Sequence, residues 1–403
     1  MAKLISITEA PASSVVFANN PIVFKATTYY TLKEDESFLR IICRATFKLE
    51  NPLPYYTGST VYTTELSQPV ESMGTATFNL SEDAKTLIRK ISSEVDMNDG
   101  NVFENYRILA EVTFEDVWIR DNQEISGVLV DLRPSARFYV VPGGLTDYEM
   151  LLNGPANLVE LAGQGRAMTR KPDGGILYRG EKMIVPTMRC HQLIGEDVPT
   201  STCNVTLTVE KEKVQEGVVI SELIDRSFHV ITGNSMDYQT ADTSEGDFDG
   251  NFSFNSTLTG EITGFFRTNT HGVHFLRFIN GFGAVENISV RAKDKLSYEV
   301  SGDTHSLVQG ISTRPTDRRY ATKSQPVGVY ELSSGYVPKQ WAEWYVQELL
   351  TSPRVWIQLG GKWVPALIES EDDCVIYDRT KPEMPHVDFT LRLAIDGVTG
   401  ITW

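Results

Sequence analysis

The segment from Val337 to Ala394 changes its hydrophobic period partway along, and that change limits what it can become. Pro338 stands where a first helical residue would, at no cost in hydrogen bonding, and Trp341, Trp344, Tyr345 and Leu349 recur at helical spacing until Ser352-Pro353. One face of that helix is aromatic. Past Pro353 the period falls to two: Val355 and Ile357 alternate with Trp356 and Gln358, Gly360-Gly361 turns the chain, and Trp363 to Ile368 returns it. Cys374 to Tyr377 and Val387 to Leu393 read as two further strands. The pattern predicts an antiparallel sheet with one dry face, covered by the aromatic helix.

A chain of 403 residues exceeds what one core organises, and at roughly 100–200 residues per domain it divides into about two to four. The predicted fold class is mainly β, with multidomain antiparallel β-sandwich or barrel domains and a few short packed helices. Residues 1–140 read as an N-terminal β-sandwich with one helix. Its strands fall at Ile22 to Tyr30, Phe38 to Leu49, Thr60 to Thr64, Tyr106 to Ile119 and Glu124 to Leu132. The helix is predicted over Ser81 to Val95, with Ser81 as cap, Glu82 and Asp83 at the positive end of the dipole, and an apolar stripe through Ala84, Leu87, Ile88, Ile91 and Val95 that packs on the sandwich edge.

Residues 141–182 form a helical and basic, turn-rich connector. It opens at Val141-Pro142-Gly143-Gly144. Thr146 and Glu149 have capping-box spacing, Asn153-Gly154-Pro155 interrupts the helix, and Leu158 to Ala162 resume it before Gly163. From Gly163 to Gly180 no periodicity supports a packed element, so this part is expected to be exposed. Residues 183–302 read as a second β-sandwich or barrel, with Val205, Leu207 and Val209 alternating against threonines and a hairpin of His274 to Asn280 and Ala284 to Arg291 around Gly281-Phe282-Gly283. Residues 303–403 hold the helix-on-antiparallel-sheet domain.

Composition narrows the function classes. A net charge of −16 opposes nucleic-acid phosphates, and the one basic segment, Arg314, Arg318, Arg319 and Lys323, reads as a solvated loop. No apolar run approaches the ~20 residues of a membrane-spanning helix, and MAKLISITEAPASSVV lacks the apolar core of a signal peptide. The expectation is a protein that stays in the cytoplasm or leaves it by lysis. Cys43, Cys190, Cys203 and Cys374 are far apart and form no CxxC, which suits free thiols in a reducing compartment.

No catalytic, cofactor-binding or metal-ligating set emerges. Among six histidines, only His271 and His274 are close, and on one strand their offset puts them on opposite faces. Gly233-Asn234-Ser235-Met236-Asp237 lacks the second glycine and the strand-to-helix setting of a nucleophile elbow. Gly281-Phe282-Gly283 has Glu286 where a dinucleotide fingerprint needs glycine, and Gly360-Gly361-Lys362 lacks the remainder of a phosphate loop. The acidic stretch 242–251 alternates oxygen ligands at Asp247, Asp249 and Asn251, but Gly250 is misplaced for a calcium loop and no glutamate closes it; it reads as either a cation loop or an acidic turn. A glycosidase's two carboxylates need proximity in space, which spacing along the chain does not show. Trp341, Trp344, Trp356 and Trp363 are read as core filling rather than a sugar-stacking platform.

The segments FLRFINGFGAVENISV, LLTSPRVWI and WVPALIESEDDCVIYD, with PGGLTDYEMLL and the basic turn-rich stretch after it, resemble the pattern of tail proteins from phages and prophages of Bacteroidetes-type bacteria. The resemblance follows the order of elements over most of the chain and rests on packing and turn residues. It implies a virion structural subunit of distal-tail or baseplate type, assembling as a ring in the bacterial host cytoplasm with itself and other tail proteins, without cofactors or membrane insertion, and with a host-surface receptor as a further partner of the tail. The function expected first is therefore a non-enzymatic phage tail component. A receptor- or carbohydrate-binding surface module stands second and a glycosidase third.

Overall fold

Period-two alternation of apolar residues builds three β bodies in the computed structural model of the chain. It describes residues 5–51, 53–54, 56–98, 100–103, 106–127, 133–153, 166–191, 194, 198–213, 218–299, 302–306, 319–323, 327–369 and 385–394. The mainly β class with few short helices is what the structure shows. Among the described residues, no helix is long and apolar enough to cross a membrane.

In the first body, a sheet of Ile5–Glu9, Val23–Thr28 and Thr75–Asn79 pairs its dry face with a sheet built on Val15–Phe17, Ser135–Val141, Ile108–Arg120, Glu36–Leu49 and Val61–Pro69. Phe24, Phe47, Phe78 and Phe114 are fully buried between them. The long strands match the sequence expectation. Val15–Phe17 escaped it because its partner, Tyr139 to Val141, lies over 100 residues away and pairs in parallel.

The helix here spans Ser81–Ser93 and buries Ala84, Leu87 and Ile91 beside the edge strand Val61–Pro69. Its cap differs from the expectation. Ser81 is already helical and buried, and its backbone N–H donates to Asn79 Oδ1 at 3.1 Å, an oxygen that also accepts from the Ile22 N–H at 3.3 Å. Asn79 therefore satisfies two backbone donors where Ser81 satisfies none. Asn79→Ala is expected to cost about 1–2 kcal/mol, and Ser81→Ala clearly less; paired urea titrations check the order.

The capping box is present as expected. Thr146 N–H donates to Glu149 Oε2 at 2.8 Å, and Glu149 N–H donates to Thr146 Oγ1 at 3.2 Å, opening the helix Asp147–Asn153. The resumption at Leu158 to Ala162 lies outside the described residues. The exposed connector is a correction. Arg166–Ala167 pairs with Thr187 and Met188, Gly175–Tyr178 runs parallel to Gly264–Arg267, and Met168, Leu177 and Tyr178 are buried. Strand pieces of two and four residues are too short to show a period, so the sequence reads them as loop.

The second body packs Arg166–Ala167, Met183–Met188 and Met236–Ala241 against five strands in the order Gly175–Tyr178, Gly260–Arg267, Gly250–Ser256, Thr200–Lys213, Val218–Thr232. Val205, Leu207, Val209, Phe254 and Phe266 fill it.

The third body corrects two expectations. The hairpin Val273–Ile279 and Val285–Glu299, assigned by sequence to the unit ending at residue 302, pairs instead with the C-terminal strands, and with Val327–Ser333, Asp388–Leu393, Lys362–Glu369 and Val355–Leu359 it closes into a barrel rather than a sheet of C-terminal strands alone. The aromatic helix runs over Lys339–Trp344 and widens into a π-helical turn at Tyr345–Leu349. Trp341, Trp344, Tyr345 and Leu349 are all buried in the barrel core, where Trp344 meets Phe278 edge-on at 5.7 Å. Trp356 is buried as well, and Trp363 lies 4.0 Å beneath the Arg277 guanidinium. Cys374 to Tyr377, Arg314 and Arg318 lie outside the described residues.

Two glycine turns bring the bodies together. Gly143, at φ +77°, sits where a Cβ would meet the Phe282 carbonyl carbon at 2.0 Å, and Gly144 N–H donates to the Gly281 carbonyl at 2.9 Å. Around this contact Phe17 and Tyr139 of the first body, Met188 and Met236 of the second, and Phe282 of the barrel form one core.

Candidate functional site

Three places on the molecule combine placement with chemistry: an ionic clasp beside the glycine turns, a cavity next to it, and the outer strand of the second body. The clasp centres on Arg170. Its Nε and NH2 hold Glu149 Oε1 and Oε2 at 2.9 and 2.6 Å, its NH1 holds Glu348 Oε1 at 2.6 Å, and its NH2 also donates to the Gly144 carbonyl at 3.1 Å. Glu348 Oε2 accepts from the Gly281 N–H at 2.6 Å, and the guanidinium lies 4.0 Å from the Phe282 ring centre. Burial alone would raise the Glu149 carboxyl, but the Arg170 hydrogen bonds outweigh it and hold the group below the usual carboxylate range. The same carboxylates hold the Arg170 guanidinium above its ordinary value against the opposing effect of burial. Helix, connector and π-helical turn are tied at one point.

The cavity, of about 220 Å³, lies between the five-stranded sheet and the barrel. Ile176, Ile184, Phe252, Ile262 and Trp341 give it apolar walls, and Lys171, Glu181 and Asn287 line it with polar groups. Lys171 Nζ donates to the Asn287 carbonyl at 3.0 Å and sits 5.9 Å from the ring centres of both Trp341 and Trp344. Glu181 is buried; its Oε2 accepts from Ser289 Oγ and, at 3.3 Å, from the Tyr178 N–H. Burial pushes its carboxyl up, the nearby Lys171 and the Ser289 hydroxyl only partly opposing this. Glu286, also buried, is likewise raised by burial while accepting from Asn280 Nδ2 at 2.6 Å.

The outer strand Val218–Thr232 ends the five-stranded sheet, and among the described residues no backbone hydrogen bond is made on its outer side. Val219, Leu223, Phe228 and Val230 are exposed by 58%, 57%, 66% and 65%. Strict alternation would put the first two and the last two on opposite faces. Register slips at Ile224, where Leu207 faces Asp225 and Thr208 faces Leu223, so the extra residue brings all four to one face. That bulge also hides the stripe from a period-two reading of the sequence.

The residues weighed from sequence fall as follows. His271 lies in the turn before Val273–Ile279, and His274 packs edge-on against Tyr330 at 5.6 Å, burial lowering its imidazole. Ser235 is wholly buried in a turn with Asn234 at φ +63°, its Oγ 2.6 Å from the Thr232 carbonyl and 2.9 Å from Asp237 Oδ2. In the acidic stretch, Asp249 Oδ1 accepts from the Thr268 N–H and Oγ1, both at 2.7 Å, and Asp242 Oδ1 accepts from the Ser244 N–H at 2.9 Å. Those carboxylates hold loops. Among the described residues, no three of His, Cys, Asp and Glu converge in a metal-binding group.

No protein-family model matches the chain, and no curated protein matches it. Among solved structures, it is similar to E. coli alpha-2-macroglobulin in its native conformation, at 8% identity over 81% of this chain and 21% of that one, with TM-score 0.23. Salmonella alpha-2-macroglobulin reacted with methylamine gives 7% identity over 84% and 26%, with TM-score 0.22, and Drosophila OTK extracellular domains 3-5 give 9% over 83% and 93%, with TM-score 0.18. The chain spans about a fifth to a quarter of the alpha-2-macroglobulins' length. At such TM-scores the likeness carries no argument.

Proposed function

We propose that this chain is a non-enzymatic structural subunit of a phage tail or tail tip, of distal-tail or baseplate type, and that it assembles with copies of itself through the outer strand of its second β body. The observation that carries the assembly reading is the single-faced apolar stripe on that edge strand, whose outer side has no strand partner among the described residues. A sheet-edge strand with exposed Val, Leu and Phe templates pairing with another chain unless something covers it. Here nothing blunts it with lysine or proline: the strand reads VVISELIDRSFHVIT.

A second copy fits this strand by symmetry. Antiparallel self-pairing centred on the bulge sets Leu223 opposite Phe228 of the other copy and brings Asp225 near Arg226 of that copy. The same patch thus serves both sides, as a two-fold interface requires. Burial of aromatic and aliphatic side chains at a water-free centre supplies the affinity. The tail assignment comes from the resemblance in element order; the two-fold contact closes at a dimer, and a ring of such subunits needs a second, head-to-tail interface.

Light scattering on the eluting chain is expected to give a mass above one subunit, and Phe228→Glu with Leu223→Lys to return it to a monomer with its melting temperature kept. A monomer at tens of micromolar would sink the self-assembly. A wild-type monomer that associates only when mixed with other tail proteins would place the partner elsewhere.

A further inference from the structure

We infer that the cavity between the second β body and the barrel is a binding site for a small apolar monocarboxylate, with the Lys171 ammonium taking the carboxylate and the Ile176–Ile184–Phe252–Ile262 walls taking the hydrocarbon. At about 220 Å³, it is far larger than a packing defect; at ~30 Å³ each it would hold about seven waters. Cavities of this kind favour the meeting of two domains, with mostly apolar walls and a few convergent polar groups. That describes this one, since its lining comes from the connector, two sheets, a barrel strand and the aromatic helix.

The charge at its end decides the ligand. Lys171 has three N–H donors, and the one bond it makes among the described residues is to a carbonyl, that of Asn287 at 3.0 Å. Asn287 and Trp341, which flank the ammonium, are themselves lining residues. The Asn287 amide is spent elsewhere: its Oδ1 accepts from Arg277 Nε at 3.0 Å and its Nδ2 donates to the Lys182 carbonyl at 2.7 Å. The other charged residues of the lining are Asp173, Glu181 and Lys182: Glu181 Oε2 is taken by the Ser289 hydroxyl and the Tyr178 N–H, and the Lys182 ammonium lies 5.0 Å from the ring centre of Phe103, which does not line the cavity. The Lys171 ammonium, with spare donors, above an apolar floor and with no arginine among the lining residues, suits a monoanion with a hydrocarbon body better than a phosphate. This site is independent of the outer strand and of the tail assignment.

The test titrates the full chain with octanoate and with octanol, reading tryptophan fluorescence, since Trp341 lines the cavity. Octanoate is expected to bind saturably and roughly tenfold tighter than octanol, the worth of one charged hydrogen bond. Lys171→Met removes the charge at similar length and should erase that gap, leaving octanol affinity as it was. Ile176→Trp, at a lining position that is 42% exposed and so tolerant of a larger side chain, should fill the space and weaken both ligands. Non-saturable octanoate binding, or octanoate affinity unchanged in Lys171→Met, would overturn the assignment. If Lys171→Met does not fold, the octanoate–octanol gap in the wild type and the weakening of both ligands in Ile176→Trp decide the matter, the absence of either overturning the assignment.

Discussion

Replacing Arg170 with methionine is expected to lower the stability of the chain by about 3–5 kcal/mol, read as a shift of the urea midpoint at pH 7. The magnitude comes from what is left behind. Glu348 has a side chain 4% exposed and Glu149 one 19% exposed, and both lose their only ion pair among the described residues in one step. A buried carboxylate stripped of its partner costs far more than the pair contributed, because water does not reach it to compensate. The loss is also mechanical. Arg170 ties the capped helix Asp147–Asn153, the Gly144 carbonyl and the π-helical turn, and through Glu348 Oε2 it fixes the Gly281 N–H at the contact between the two glycine turns. Arg89→Met is the control. That guanidinium is 66% exposed and pairs with an exposed Glu82, so its removal should leave the midpoint in place. A triple variant replacing Arg170, Glu149 and Glu348 with apolar residues should recover much of the loss, because it leaves no charge buried. Equal midpoints for Arg170→Met and Arg89→Met would show that the clasp is ornamental.

Large side chains at regular spacing made parts of this architecture readable in advance. Trp341, Trp344, Tyr345 and Leu349 announce a buried helical face, and Thr146 with Glu149 announces a helix start, since both signals lie within one or two turns of chain. What stayed hidden depends on distance or on a broken period. Closure of the barrel rests on Val285–Glu299 meeting Val327–Ser333, a pairing no local pattern specifies. The two glycine turns were each legible as turns, but their docking on one another was not, because a positive φ at Gly143 shows only that something comes close, not what. Lys171 and Glu181 belong to the connector 141–182, where no period singles either of them out. Only the short strands on either side, which fold that connector against the barrel, make them lining residues of a cavity.

Asp237 should make the stability of this protein fall as pH rises from about 4 to 7. Its carboxyl is 3% exposed, and burial pushes it from 3.8 to about 7, against the pull of Ser235, the Thr232 N–H at 3.1 Å and Arg107. Arg107 offers little relief because its Nε already serves Glu50 at 2.9 Å and its NH1 the Gly233 carbonyl at 3.0 Å. Ser235 has one hydroxyl hydrogen to share between the Thr232 carbonyl at 2.6 Å and Asp237 Oδ2 at 2.9 Å, so its pull on the carboxylate is weak. With the folded value above the unfolded one, the folded state holds the proton more tightly. The stabilisation is whole below pH 3.8 and is lost as pH climbs through about 7. Roughly three pH units at ~1.36 kcal/mol each amount to about 4 kcal/mol. Other groups titrate over the same range, so the informative quantity is the difference between the wild type and Asp237→Asn, whose amide oxygen accepts from Thr232 without titrating. Measured by urea denaturation, that difference should swing by about 4 kcal/mol in favour of the asparagine variant between pH 4 and pH 8, with most of the change complete by pH 7. A difference that stays flat across the range would mean that Asp237 is ionised throughout and that Arg107 compensates it despite its other bonds.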